Sequence, residues 1–81
     1  MVIGGMRASQ LQDLIVTMLV RRAGGTQRQW RAVVGPVKLH DIATHAHCNW
    51  SLAPSGRADQ VAEVERLLDT VRLDHPIVTP G

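Results

Sequence analysis

The chain of 81 residues contains no phenylalanine, no tyrosine and only one cysteine. Aliphatic side chains must therefore fill most of the core, and Trp30 and Trp50 are the only large aromatic anchors. The single Cys48 excludes an internal disulfide and fits a reducing cytosol. A domain of this length buries only about 60% of the surface that its unfolded chain exposes. We therefore expect a thin core that self-association or a bound partner would help to stabilise.

Long apolar runs are also missing. The longest, from Leu14 to Val20, is interrupted by Thr17 and is too short to span a bilayer. The first residues, MVIGGMR, lack the charged and apolar regions of a signal peptide. These absences predict a cytoplasmic protein that makes no membrane contact. We expect one small domain over residues 1–81, with 1–6 and 76–81 as loose or docked extensions.

What the chain does have is the composition of a folded protein and an uneven charge distribution. It is 44% hydrophobic and 20% charged, with a net charge of +2. Residues 1–40 carry six Lys or Arg and one Asp, whereas residues 41–81 carry three Arg and six Asp or Glu. The halves therefore bear +5 and −3. This asymmetry indicates either an anionic partner for the first half or attraction between the two halves within one fold.

Capping signals and helical spacing predict two helices in the first half. Ser9, followed by Gln12, has the spacing of a capping box, and Gly24-Gly25 would end the helix. The apolar residues between them recur at helical spacing: Leu11, Leu14, Ile15, Met18 and Leu19. Thr26 and Gln29 repeat the capping pattern before Gly35. We favour a short second helix there, with a strand as the alternative.

Alternation of apolar and polar residues predicts a β-hairpin from Val37 to Ala53. With Asp41 to Thr44 as its loop, His40 would lie opposite His45. The face that would pack on the helices consists of Ala46, Cys48, Trp50 and Leu52. Because a lone hairpin is marginal in water, we expect a third strand from residues 1–5, from residues 29–34 or from a second subunit.

The last helix is predicted from an apolar stripe that ends before His75-Pro76. The stripe consists of Val61, Val64, Leu67, Leu68 and Val71. On its wet face, Glu63 with Arg66 and Asp69 with Arg72 are candidate ion pairs. The resulting fold class is α+β: an N-terminal helix, a short second helix or strand, a β-hairpin, and a C-terminal amphipathic helix that packs on one face of a small antiparallel sheet.

Three histidines occupy the predicted hairpin. In the predicted register, His40, His45 and His47 would share one face, which resembles the three-nitrogen side of a catalytic zinc site. A second interpretation is RNA cleavage without metal, in which one imidazole acts as base and another as acid while Lys38 or Arg28 stabilises phosphate. The third is the ordinary solvent face of a half-buried strand. We favour the third, and so expect no cofactor.

The other candidate site is a basic segment around Gly24-Gly25. Its members are Arg21, Arg22, Arg28, Trp30 and Arg31. Helix, Gly-containing turn and helix is the outline of a helix-turn-helix, although the turn is short and we expect no apolar third helix to brace the pair. The same arginines, with Trp30 as an anchor, would suit a protein interface, and Trp30 could equally lie in the core. The sequence predicts a regulatory or accessory binding module, not an enzyme, whose partner is a protein, a second copy or nucleic acid.

Overall fold

Three helices and one short antiparallel sheet make up residues 6–81, the part of the chain that the computed structural model describes. The elements are α1 (Ala8–Ala23), α2 (Gln27–Val34), β1 (Lys38–Leu39), β2 (Trp50–Ser51) and α3 (Ala58–Asp74). The predicted α+β class is confirmed, and so is the helical alternative for α2. No helix within residues 6–81 is long and apolar enough to cross a membrane.

The start of α1 differs from the prediction. The helix begins at Ala8, with Arg7 as its N-cap, so Ser9 lies inside its first turn. The Gln10 side chain accepts a hydrogen bond from the Arg7 N–H at 3.0 Å, which is the role predicted for Gln12. The N–H groups of Ala8 and Ser9 donate to the carbonyls of Thr79 and Gly81. Backbone groups from the far end of the chain thus satisfy donors that a side-chain cap would otherwise serve.

The turn between α1 and α2 follows the prediction. Gly24 and Gly25 adopt φ values of 78° and 86°, which favour glycine. The Thr26 hydroxyl then accepts a hydrogen bond from the Gln29 N–H at 3.1 Å and caps α2. Gly35, with φ at 69°, ends α2. Residues within a few positions of one another therefore account for this part of the chain.

The core lies between the three helices and the inner face of β2. Most of the predicted apolar residues of α1 and α3 are buried there, and so are both tryptophans. The buried cluster as a whole consists of Leu11, Ile15, Val16, Leu19, Trp30, Val33, Val34, Trp50, Val64, Leu67, Leu68, Val71 and Val78. Helix α3 packs against both α1 and α2. It therefore braces the α1–α2 pair, although it follows that pair in sequence only after the sheet.

The predicted hairpin register is wrong. Leu39 pairs with Trp50, and the His40 N–H donates to Asn49 O at 2.8 Å. The intervening residues form a long loop instead of a strand, and Ala46 is exposed in it. Asp41 organises this loop: its carbonyl accepts from the N–H groups of Thr44 and His45, and its carboxylate accepts from Ala43. Because of this turn, residues 41–45 form no strand pairing. Residues 45–48, whose apolar and polar side chains alternate, therefore lie in the loop and not in a strand.

Within residues 6–81 the sheet has two strands, and the C-terminal tail contacts the chain next to β2. Asn49 is 8% exposed, and its N–H donates to Pro76 O at 3.0 Å. Its side-chain amide donates to Val78 O at 2.8 Å and accepts from Val78 N at 2.9 Å. Residues 29–34, one predicted source of a strand, lie within α2, and residues 1–5 lie outside the described residues. The tail is therefore docked, which was one of the two alternatives for it.

Candidate functional site

The basic segment divides into paired and unpaired arginines. Arg22 Nε lies 3.0 Å from a carboxylate oxygen of Glu63 on α3, and Arg31 Nη2 lies 2.6 Å from one of Asp13 on α1. Within residues 6–81, neither Arg21 nor Arg28 has a carboxylate within 4.0 Å. Both are exposed, one in the last turn of α1 and the other at the start of α2. Two positive charges therefore lie on either side of the Gly24-Gly25 turn, with no ion-pair partner among residues 6–81.

Trp30, predicted either as an interface anchor or as core, is core. It is 5% exposed, and its indole Nε1–H donates to Gly24 O at 2.7 Å. This bond ties α2 back to the end of α1 and satisfies the one polar atom that the indole brings into the interior. Trp30 thus positions the turn and leaves the exposed part of the segment to arginine, glutamine, glycine and alanine.

The positive charge of residues 1–40 is mostly left without a counterpart in residues 41–81. Four ion pairs form within residues 6–81, and only Arg22–Glu63 joins the two halves. Arg31–Asp13 lies within the first half, and the other two pairs lie near the start of α3. Ion pairing between the halves therefore involves only one of the positive charges of residues 1–40. Of the two explanations for the charge asymmetry, an anionic partner fits this arrangement better than attraction between the halves.

A polar cleft of about 400 Å³ lies between the Gly24-Gly25 turn and the start of α3. Its walls include Gly25 and Gln29 on one side and Arg57, Gln60 and Arg66 on the other. Sequence reasoning missed this cleft, because its two walls are about thirty positions apart in the chain and neither carries a motif. Packing of α3 against α1 and α2 creates it.

Two arrangements of charge fix the α3 side of this cleft. Arg57 binds Asp59 through two hydrogen bonds, Nε to Oδ1 at 3.1 Å and Nη2 to Oδ2 at 2.7 Å. The hydrogen bond between them lowers the pKa of the Asp59 carboxyl and raises that of the Arg57 guanidinium, so both remain charged. One helical turn further on, Glu63 lies between Arg22 and Arg66, at 3.0 Å and 3.6 Å.

Only part of the predicted histidine cluster is assembled. The rings of His40 and His45 stack with centroids 4.4 Å apart, although their backbones are not paired in the predicted register. One ring nitrogen of each lies within hydrogen-bond distance of a hydroxyl group: His40 Nε2 is 2.8 Å from Ser51 Oγ, and His45 Nδ1 is 2.9 Å from Thr44 Oγ1. His47 is exposed in the loop. Among residues 6–81, no three His, Cys, Asp or Glu side chains are close enough to share a metal ion.

Two smaller predictions concern residues near the sheet. Cys48 is half-buried, and its thiol donates to Trp50 O at 3.4 Å, in line with a packed residue. The expected Asp69–Arg72 ion pair does not form, since these groups are not within 4.0 Å of each other. Arg72 instead lies over the Trp50 ring, 5.9 Å from its centroid. The other predicted pair on α3, Glu63 with Arg66, is confirmed.

No family model matches this chain, and no similar curated protein or solved structure was found for it. The arrangement of its own residues is therefore the basis for a functional proposal.

Proposed function

We propose that this protein is a small non-enzymatic binding module that contacts nucleic acid through the basic segment around the Gly24-Gly25 turn. The observation that supports it is the pairing of charges. Of four ion pairs within residues 6–81, only Arg22–Glu63 joins the basic half to the acidic half. Arg21 and Arg28 are exposed, and neither forms an ion pair with a carboxylate of residues 6–81. Exposed arginines bind phosphate groups through charge-assisted and often bidentate hydrogen bonds, which supply much of the affinity for nucleic acid.

Burial of Trp30 favours nucleic acid over a protein partner. Protein interfaces draw their energy from aromatic and apolar anchors at a desolvated centre. With Trp30 in the core, the exposed residues from Arg21 to Gln29 are polar or small. Such a surface can bind phosphates but offers no large apolar anchor. We propose the reducing cytosol as its compartment, where Cys48 would remain a thiol.

The test is equilibrium binding of fluorescently labelled oligonucleotides as a function of salt. Each phosphate contact on a single strand contributes a slope of about −0.7 to log K against log salt, so Arg21→Ala/Arg28→Ala should reduce the slope by about 1.4. Single variants Arg28→Ala and Lys38→Ala form a matched comparison, because each removes one exposed positive charge. Arg28→Ala should weaken binding and Lys38→Ala should not.

Two results would overturn this proposal. One is the absence of binding to any single-stranded or double-stranded oligonucleotide at low salt. The other is equal affinity and equal salt slope in the wild type and Arg21→Ala/Arg28→Ala. A partner retained at high salt would instead indicate a protein contact.

The second candidate is RNA cleavage by the histidine pair, and the observation that favours it is the stacking of His40 on His45. Imidazole is the side chain that most often serves as general base or general acid in catalysis, and RNA cleavage needs one group in each role. Cleavage of a fluorogenic oligoribonucleotide should then fall at least 100-fold in both His40→Ala and His45→Ala. His47→Ala should retain activity. Activity that survives both substitutions, or that disappears on further purification, would reject this candidate.

A further inference from the structure

The cleft beside the basic segment differs from that segment in charge. Its two arginines, Arg57 and Arg66, are matched by Asp59 and Glu63, all four of which line it. Neither Arg21 nor Arg28 lines the cleft; each lies on a helix end that also carries lining residues, Arg21 two positions before Ala23 and Arg28 directly before Gln29. An electrically balanced polar cleft suits the uncharged polar portion of a ligand, and the arginines of the adjoining helix ends are the candidates for binding an anionic portion.

Unused hydrogen-bonding groups of the cleft belong to two glutamines. The Gln29 side chain has no hydrogen-bond partner within residues 6–81, and its Oε1 lies close against Gly25. Gln60 uses only Oε1, which accepts from the Arg57 N–H at 3.1 Å, so its Nε2 donors are available. One full carboxamide and one amide donor group therefore line the cleft from opposite walls. A carboxamide can recognise the edge of a base because its N–H donor and its carbonyl acceptor match a neighbouring acceptor and donor on that edge.

Arg57 adds a flat surface to the same cleft. Its guanidinium is held by the two parallel hydrogen bonds to Asp59, and 73% of its side chain is exposed. Unstacked bases in single strands stack on guanidinium planes as well as on aromatic rings. Trp30 also lines the cleft, but it is only 5% exposed and its Nε1–H is already bound to Gly24 O, so Arg57 offers the more accessible flat group. A volume of about 400 Å³ is within the size range of small-ligand pockets, roughly 300–1,000 Å³.

We infer that the preferred partner is single-stranded nucleic acid and that one unstacked base enters this cleft. Gln29 and Gln60 contact the edge of the base, Arg57 stacks on its face, and Arg21 and Arg28 bind the adjoining phosphates. The inference rests on the proposed function, because the phosphate contacts it uses are those of the basic segment. It adds a site for the base and a preference for unpaired strands.

The experiment measures affinity for short single-stranded homopolymers of each base, in RNA and DNA form, and for a duplex of the same length. We expect at least a 10-fold preference for one single-stranded homopolymer over the duplex. Gln29→Ala should lower affinity for that homopolymer by about 10-fold and reduce the differences between bases, while leaving the salt slope unchanged. Gln27→Ala is the matched control, since it removes an exposed glutamine of α2 outside the cleft lining.

Arg57→Lys provides a second measurement, because lysine keeps the positive charge and lacks the planar group. It should weaken binding several-fold with an unchanged salt slope. Tighter binding to the duplex, or equal affinities for Gln29→Ala and Gln27→Ala, would overturn the inference. If Arg21→Ala/Arg28→Ala still weakened binding in that case, the proposed function would stand without the base site. If the wild-type protein bound no oligonucleotide at low salt, both the proposed function and this inference would be rejected.

Discussion

The Gly24-Gly25 turn and the loop between β1 and β2 both connect neighbouring elements, yet they are specified in different ways. The turn is determined by neighbours: two glycines with positive φ, the Thr26 cap and the Trp30 bond to Gly24 O all lie within seven residues. The loop ends at Asn49, whose partners Pro76 and Val78 lie 27 and 29 positions away. Capping and glycine patterns therefore identified the turn, whereas alternation alone gave the wrong register for the loop.

The difference has a consequence for function. Arg21 and Arg28 project from the locally determined turn, so their positions do not depend on the docking of the tail. The stacked His40 and His45 lie where the loop is anchored through Asn49. Disturbing the tail should accordingly alter the histidine pair and leave the basic segment in place. Four predictions test this contrast.

The largest effect is expected from Asn49→Ala. It removes the amide that both donates to Val78 O and accepts from Val78 N, so two buried backbone groups lose their partner. Since each unsatisfied group costs about 1–3 kcal/mol, we expect the free energy of unfolding to fall by about 2–6 kcal/mol. Urea unfolding followed by tryptophan fluorescence measures it. His47→Ala, in the exposed part of the same loop, should change stability by less than about 0.5 kcal/mol. Equal effects would show that the loop is not anchored at Asn49.

A smaller effect is expected from Gly25→Ala. Alanine would have to adopt φ near 86°, at a cost of about 1–2 kcal/mol. Its Cβ would also lie 2.7 Å from Gln29 Oε1 and 3.3 Å from Trp30 Nε1. Gly25→Ala/Gln29→Ala is the matched comparison, because it keeps the same φ at position 25 and removes the Oε1 contact. Thermal unfolding should show a smaller loss for the double variant than for Gly25→Ala. Equal losses would mean that the backbone, not the close approach to Gln29, limits the turn.

The Thr26 cap should contribute less than the glycines. Thr26→Ala removes the acceptor for the Gln29 N–H and should lower the free energy of unfolding by about 1 kcal/mol. Thr26→Ser keeps the hydroxyl and should restore most of that loss. Circular dichroism during urea unfolding reports both variants. If Thr26→Ser were as unstable as Thr26→Ala, the methyl group and not the hydrogen bond would be the important part of the side chain.

The smallest effect concerns pH at the start of α3. The Arg57 hydrogen bonds lower the folded-state pKa of Asp59 below its unfolded value, which is about 3.9 for aspartate. The pair therefore stabilises the fold above that unfolded value, and this contribution is lost as pH falls through the folded value. The stability difference between the wild type and Asp59→Asn should be small at pH 7, because both groups are exposed, and should shrink further in acid. A difference that grows on acidification would contradict this sign.

Prediction from the sequence was most successful where causes were local. The end of α1, the short α2, the apolar stripe of α3 and its stop at His75-Pro76 all follow from neighbouring residues. It failed at Ser9, because carbonyls of Thr79 and Gly81 serve the first N–H groups of α1. For the candidate site, the arginines were identified, but which of them are paired was not. Arg22 finds Glu63 across the fold, a contact that spacing does not reveal.

Local sequence specifies the three helices, the glycine turn that joins the first two, and the excess of positive charge around that turn. Glycine φ preferences, side-chain caps and apolar periodicity operate within a few residues, so no fold is needed to apply them. Tertiary structure alone decided the register of β1 on β2, the burial of Asn49, and the cleft between Gln29 and Gln60. Each of these depends on polar groups or packed surfaces that meet only when distant segments come together, because buried backbone groups accept whichever partner the fold supplies.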